Sequence, residues 1–164
     1  MSSFTKTAAS TAVAFDPGWK TILECAAIEV FEMMVGVRPE LNSASTGEPA
    51  GEVTAMVGLA GALCGMNTIR CTKVTAARFA ALMLGEAAAS ESSSSSDALG
   101  ELCNMVAGNF KSKISNLADH CMLSVPTVIT GADYSMETSE PTKDLVVPLL
   151  FEGRPLWVSL IIHT

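Results

Sequence analysis

The stretch "DALGELCNMVAGNFKSK", residues 97–113, decides the fold of this 164-residue chain. At about 100° per residue, its apolar side chains gather on one side of a helix and its polar side chains on the other. The predicted core face continues beyond the quoted stretch and comprises Leu99, Leu102, Cys103, Val106, Phe110, Ile114 and Leu117. The pattern predicts a long amphipathic helix at the centre of the domain.

The opposite face of this helix carries polar and small residues, namely Asp97, Glu101, Asn104, Gly108, Lys111 and Ser115. Residues at i and i+3 are neighbours on a helix surface, so Glu101 and Asn104 project together. A solvated polar face is ordinary for an amphipathic helix, and spacing alone does not make a site. A glycine within a helix, however, costs about 1 kcal/mol relative to alanine. Gly108 leaves the surface low beside the pair, so that the backbone of another protein could come close.

Upstream of this helix, the sequence predicts a first helix, an extended segment and a hairpin. "WKTILECAAIEVFEMMVG", residues 19–36, has helical periodicity and closes on a glycine. In "VRPELNSAS", residues 37–45, the proline restricts the segment to an edge or irregular strand. "EVTAMVGLA" and "LCGMNTIRC", residues 52–60 and 63–71, are strand-like runs joined by a turn of small residues.

A short helix and a serine-rich segment lead from this hairpin to the central helix. "VTAARFAALMLG", residues 74–85, predicts a short helix that ends at its glycine. "ESSSSS", residues 91–96, is of low complexity and predicts a flexible connection. Ser96 or Asp97 is then expected to be the N-cap of the central helix.

The chain after the central helix repeats the order of the chain before it. "LSVPTVITG", residues 123–131, is β-branched and extended, and "ADYSMETSEPTK", residues 132–143, is loop-like. Residues 144–151 and 155–164 predict a second hairpin. Because helix, extended segment and hairpin occur twice, the fold predicted is an internally duplicated α+β domain with a largely antiparallel sheet and long helices.

Composition and charge limit the classes of function. A net charge of −7 argues against nucleic acid or an anionic membrane surface as the main partner. No run approaches the roughly 20 apolar residues of a membrane span. The five cysteines form no C-x-x-C pair and lie mostly in apolar runs, which favours a reducing cytoplasm. Residues 1–16 are predicted to be a loose leader, and residues 17–164 a single domain.

No metal site is expected in this chain. His120 and Cys121 are adjacent, but neighbouring residues rarely point at one ion, and no further ligands follow at metal spacing. A loop-facing or half-buried histidine is the simpler interpretation.

The longer form of the central stretch, "DALGELCNMVAGNFKSKI", resembles the signature of the CheX phosphatases, relatives of CheC and FliY in bacterial chemotaxis. "GLAGALCGMNTIRCTKVTAARFAALMLG", residues 58–85, is similar to the hairpin and following helix of that family. "LSVPTVITG" and the final hairpin also agree, so the resemblance covers about residues 17–163. It implies a CheC-like fold and a homodimer joined through the sheets.

The activity that this resemblance implies is removal of phosphate from the aspartyl phosphate of a CheY-like response regulator. By resemblance, Asn104 positions the attacking water and Glu101 pairs with a lysine of the receiver domain. Asp97, Gly108 and Lys111 are expected to contact the partner. The Mg²⁺ would arrive with the phosphorylated receiver, so no cofactor of the chain's own is expected.

The first copy of the repeat departs from this pattern. Placing "ILECAAIEVFEMM" against "LGELCNMVAGNFK" sets Glu24 against Glu101 but Ala27 against Asn104, which predicts one active site per chain. The alternative function is a non-catalytic module of the same family that binds a receiver or the flagellar switch. A purely structural domain is the third possibility.

Overall fold

The computed structural model describes residues 13–45, 47–131 and 134–164. Within them, helices pack on an antiparallel sheet, and a 3-10 helix (Glu86–Ser90) precedes the third α-helix. The helices and strands are α1 (Trp19–Val35), β1 (Glu40–Leu41), β2 (Val53–Gly61), β3 (Gly65–Cys71), α2 (Lys73–Leu84), α3 (Ser92–Ser112), β4 (Cys121–Leu123), β5 (Thr127–Thr130), β6 (Thr142–Phe151) and β7 (Arg154–His163).

The sheet confirms the predicted duplication and shows how the two copies join. Its strand order is β1-β6-β7-β3-β2-β4, with β5 also paired to β2, and every pairing is antiparallel. The hairpins β2–β3 and β6–β7 meet at the centre through β3 and β7. Each copy's extended segment pairs with the hairpin of the other copy: β1 lies along β6, and β4 and β5 lie along β2.

The core lies between the helices and one face of the sheet. Because successive strand residues point to opposite faces, alternate positions turn towards the helices, and Ile69, Val147 and Val158 are fully buried there. Phe31 of α1 and Phe79 of α2 pack against each other with ring centroids 5.3 Å apart, and Phe151 joins both rings. These contacts seat α1 and α2 firmly on the sheet.

Polar contacts fix the last turns of α3 against α1. The Asn109 Nδ2 donates hydrogen bonds to the Ala26 carbonyl (3.3 Å) and to the Glu29 carboxylate (3.0 Å). Lys113 Nζ lies 2.9 Å from the same carboxylate. The hydrogen bond from Asn109, and then that from Lys113, hold the pKa of Glu29 below its usual value. The two helices that hold equivalent places in the two copies are thus joined directly.

The flexible connection predicted for residues 91–96 is wrong, because α3 begins at Ser92. Glu91, rather than Ser96 or Asp97, occupies the N-cap position. Serine is less than about 0.7 kcal/mol worse than alanine inside a helix. The serine hydroxyls also bond to Glu91: Ser94 Oγ donates to its carboxylate and Ser95 Oγ to its carbonyl. A serine run can therefore extend a helix that packing already stabilises.

The helix also ends earlier than its apolar pattern predicts. Its last residue is Ser112, so Ile114, Ser115 and Leu117 lie in the turns that follow. Leu117 is nevertheless fully buried and Ile114 is half-buried. The apolar pattern predicted the burial correctly but not the backbone conformation.

Residues 1–12 of the predicted leader lie outside the described residues. Its last residues pack on the domain: Val13 N donates to the Ala62 carbonyl at 2.9 Å, and the Phe15 ring meets Trp19 edge-on at 5.9 Å. Of the predicted loop 132–143, residues 132 and 133 also lie outside the described part, and β6 begins at Thr142. No helix in the described ranges is long and apolar enough to cross a membrane.

Candidate active site

Glu101 and Asn104 lie on the outer side of α3, one turn apart. Glu101 is exposed and Asn104 is half-buried, whereas Leu102 and Cys103 between them are fully buried. Side chains at this spacing on a helix have Cβ atoms about 5–6 Å apart. The described residues provide neither side chain with a hydrogen bond or an ion pair. An acid and an amide are therefore presented together, both available to a partner.

Beside Glu101 lies a groove of about 470 Å³ between α3 and the connection from β4 to β5. Its helical wall carries Ser96, Asp97 and Glu101, and its opposite wall carries Val125, Pro126 and Val128. Asp97 is exposed one turn before Glu101, so the two carboxylates make the helical wall acidic. The structure places the predicted partner contact Asp97 in the same groove as Glu101.

Two other predicted contact residues have neighbours within the chain. Lys111 Nζ donates to the carbonyls of Cys121 (2.7 Å) and Ala118 (3.1 Å), which fastens the turns after α3 to the helix end. Gly108 is half-buried, and a Cβ there would lie 3.9 Å from Leu123 of β4. Both residues lie towards β4 and the turns that precede it, away from the groove. Their role in partner binding stays a prediction.

A buried polar contact anchors the turn of α3 that carries the pair. Asn67 of β3 is 1% exposed and donates through Nδ2 to the Cys103 carbonyl (3.2 Å) and towards Cys103 Sγ (3.5 Å). Burial raises the pKa of the Cys103 thiol to about 12, so it remains a neutral donor to the Ala55 and Asn67 carbonyls. The residue immediately before Asn104 is thus fixed to the middle of the sheet.

Burial in α1 shifts the predicted alignment of the two copies by one residue. In α1 the residues Leu23, Ala26, Ala27 and Val30 are buried, and in α3 the residues Leu99, Leu102, Cys103 and Val106 are buried at the same spacing. This register sets Cys25 against Glu101 and Ile28 against Asn104, rather than Glu24 and Ala27. The first copy therefore lacks both the acid and the amide, whereas the predicted alignment removed only the amide. This strengthens the prediction of one candidate site per chain.

The described residues contain no group of three His, Cys, Asp or Glu side chains that could hold a metal ion. His120 is exposed in the turns before β4, and Cys121 is buried beside it. All five cysteines are free thiols.

Sequence reasoning missed Asn67, Gly100 and the exposed residue Val125. Asn67 lies in a strand-like run, where a single buried amide leaves no periodic signal. Gly100 was visible only as a second glycine in the helix, and the exposure of Val125 depends on the pairing of β2 with two separate strands.

Solved structures share this fold. A CheX from Vibrio vulnificus has a TM-score of 0.75 and 18% identity, and the match covers 92% of this chain and 100% of that one. A CheX from Desulfovibrio desulfuricans has a TM-score of 0.74 and 22% identity, with 88% and 99% covered. CheX in a CheX–CheY–BeF3–Mg²⁺ complex from Borrelia burgdorferi has a TM-score of 0.68 and 23% identity, with 89% and 98% covered. The comparison with curated proteins found no match.

The fold is therefore that of the CheX and CheC-like chemotaxis proteins. The sequence also matches the family "Chemotaxis phosphatase CheX" over residues 53–150, a range that extends from β2 into β6 and includes all of α3. This chain belongs to the CheX family.

Proposed function

We propose that this protein hydrolyses the aspartyl phosphate of a CheY-type receiver domain, with Asn104 and Glu101 as the catalytic residues. The observation that carries the proposal is the pair itself: in a chain of the CheX family, an acid and an amide stand one turn apart on α3 without partners among the described residues. The groove beside Glu101 has room for side chains of a second protein.

The reaction does not require the enzyme to supply a strong nucleophile. An acyl phosphate is a reactive anhydride, so water attacks it readily once it is held in line with the phosphorus. The carbonyl oxygen of the Asn104 amide accepts a hydrogen bond from that water without changing its protonation state. Asn104 therefore acts by orientation, and the fixed turn of α3 around Cys103 keeps the amide in place.

Glu101 supplies the electrostatic part of the mechanism. Its carboxylate pairs with a lysine of the receiver, which anchors the complex and draws that lysine away from the phosphoryl group. The neighbouring carboxylate of Asp97 lines the same groove and increases the attraction for a basic surface.

The Mg²⁺ of the reaction comes with the receiver. The Borrelia burgdorferi complex combines a CheX with CheY, BeF3 and Mg²⁺, and BeF3 imitates a phosphoryl group. In this chain, the residues proposed for catalysis are an amide and one carboxylate, which position a water and a lysine rather than a metal.

The direct test follows the decay of phosphorylated receivers. Each CheY-type receiver of the organism is phosphorylated and incubated with Mg²⁺, with and without this protein, and the remaining phosphate is measured over time. At least one receiver is expected to lose its phosphate faster in the presence of the protein. If every phosphorylated receiver decayed at the same rate with and without the protein, while one of them bound to it, the non-catalytic module would be favoured instead.

We also infer that the protein is a homodimer joined through its sheet. In the described residues, β1 pairs with Leu149 and Leu150 of β6, and Asn42 N donates to the Pro148 carbonyl at 2.9 Å, which leaves residues 142–147 without a neighbouring strand on the outer edge. Long unpaired edges are usually covered or blunted. Light scattering at micromolar concentration is expected to give twice the mass of the chain, and a monomeric mass would contradict the inference.

A further inference from the structure

The connection between β4 and β5 contains a β-bulge that faces the candidate site. The pairs Leu59–Leu123 and Met56–Thr127 flank it, and between them β2 has two residues while the opposite strand has three, 124–126. One extra residue on one strand defines a bulge, and bulges commonly re-aim a side chain beside an active site. Here the residue at the centre of the bulge is Val125, which is 84% exposed.

Hydrogen bonds to β2 hold the bulge in this shape. Gly58 N donates to Ser124 Oγ at 2.8 Å, and Ser124 N donates to the Gly58 carbonyl at 2.9 Å. A Cβ at Gly58 would lie only 3.3 Å from Ser124 Oγ, so glycine leaves the space that the serine side chain occupies. The exposure of Val125 therefore results from a fixed backbone.

A second glycine brings the bulge close to α3. A Cβ at Gly100 would lie 3.3 Å from the Pro126 Cβ, which is closer than ordinary van der Waals contact, and 3.6 Å from the Val128 Cγ2, which is an ordinary contact distance. Because Gly100 immediately precedes Glu101, this close approach sets Val125 and Pro126 across the groove from the Glu101 carboxylate. We name these two residues, Val125 and Pro126, the apolar ledge.

The groove thus has one acidic wall and one apolar wall. An exposed valine gains about 1.5 kcal/mol or more when a partner buries it completely, and apolar contacts around an ion pair exclude the water that would weaken it. A partner surface that fits both walls carries a basic side chain with an apolar patch beside it.

We propose that the apolar ledge docks the same receiver domain whose lysine pairs with Glu101, and that Val125 sets how tightly that receiver binds. The proposal rests on the proposed function for the identity of the partner. It is supported by continuity, since the ledge and Glu101 line one groove, and by charge, since Asp97 and Glu101 select a basic surface. The ledge contacts the protein partner and has no part in placing the water.

The test compares Val125→Ser with Met122→Ser. Met122 is similarly exposed, at 74%, and pairs with Ala60 of β2. Its neighbour Leu123 lies against α3. Because successive strand residues point to opposite faces, the Met122 side chain lies on the other face of the sheet. For Val125→Ser, we expect the Kd for a receiver loaded with BeF3 and Mg²⁺, and the KM for the phosphorylated receiver, to rise about tenfold. The kcat should stay at the wild-type value, and Met122→Ser should behave as wild type in all three measurements.

The outcomes distinguish the ledge from the proposed function. Unchanged Kd and KM in a folded Val125→Ser protein would overturn the ledge while leaving the phosphatase intact. A fall in kcat with unchanged KM, or an equal loss of binding in Met122→Ser, would also overturn it. Weaker binding of Val125→Ser to the BeF3-loaded receiver, in a protein whose wild type hydrolyses no receiver phosphate, would support the ledge and overturn the proposed function.

Discussion

Replacing Asn104 with alanine is expected to lower the rate of receiver dephosphorylation about a hundredfold, since the loss of one positioning group typically costs that much. The interaction with the attacking water is made chiefly in the transition state, so kcat should fall while binding of the receiver is retained. Because Asn104 is half-buried on the outer side of α3, the variant should unfold at nearly the wild-type temperature. Steady-state dephosphorylation and direct binding to the BeF3-loaded receiver provide the measurements.

Asn116→Ala provides the matched control for this variant. Asn116 is also an asparagine, and it is exposed in the turns after α3, away from the groove residues. It should retain wild-type turnover. Full turnover in a folded Asn104→Ala protein would rule out the water-positioning role and leave the non-catalytic binding module as the better description.

Replacing Glu101 with glutamine is expected to weaken the complex with the receiver by about 2 kcal/mol, or roughly thirtyfold in Kd. The substitution keeps the size of the side chain and removes the charge that pairs with the receiver lysine. Binding by the wild type should weaken with added salt, and the variant should lose much of that salt dependence. Turnover should fall as well, because a loosely held complex misplaces Asn104.

Glu24→Gln is the control for the loss of a carboxylate. Glu24 lies in α1, and burial sets Cys25, not Glu24, at the place equivalent to Glu101. Turnover of this variant should remain within a few-fold of wild type. If Glu24→Gln abolished turnover in a folded protein, the assignment of one site per chain would be wrong. If Glu101→Gln bound the receiver as tightly as wild type at low salt, the proposed ion pair would be absent.

The amphipathic pattern of residues 97–113 was sufficient to predict the central helix and its buried face. Leu99, Leu102, Cys103, Val106 and Phe110 are all buried as predicted. The first helix, both hairpins and the glycine at the end of α2 were also predicted, because their signals are local: periodicity, turn residues and a residue free to leave the helix. These features depend on neighbours within a few positions of the chain.

What the sequence could not predict depends on contacts between distant segments. The serine run became helical because it continues a helix whose buried face begins at Ala98, and because the hydroxyls of Ser94 and Ser95 bond back to Glu91. Val125 and Pro126 form one wall of the groove, against Gly100 of α3, only once β2 has paired with both β4 and β5. The correct register between α1 and α3 likewise appears in the burial of their side chains and not in their residue types.

The exchange of extended segments between the copies makes the two halves inseparable. The half that contains α3 supplies β4 and β5, which border β2. The half that contains α1, which has no counterpart of Glu101 or Asn104, supplies β1, which borders β6. Mutation can therefore erase the chemistry of one half, but deletion of that half would strip the other of its neighbouring strands. The copy without the catalytic pair is therefore retained for its structural contribution to the copy that carries the site.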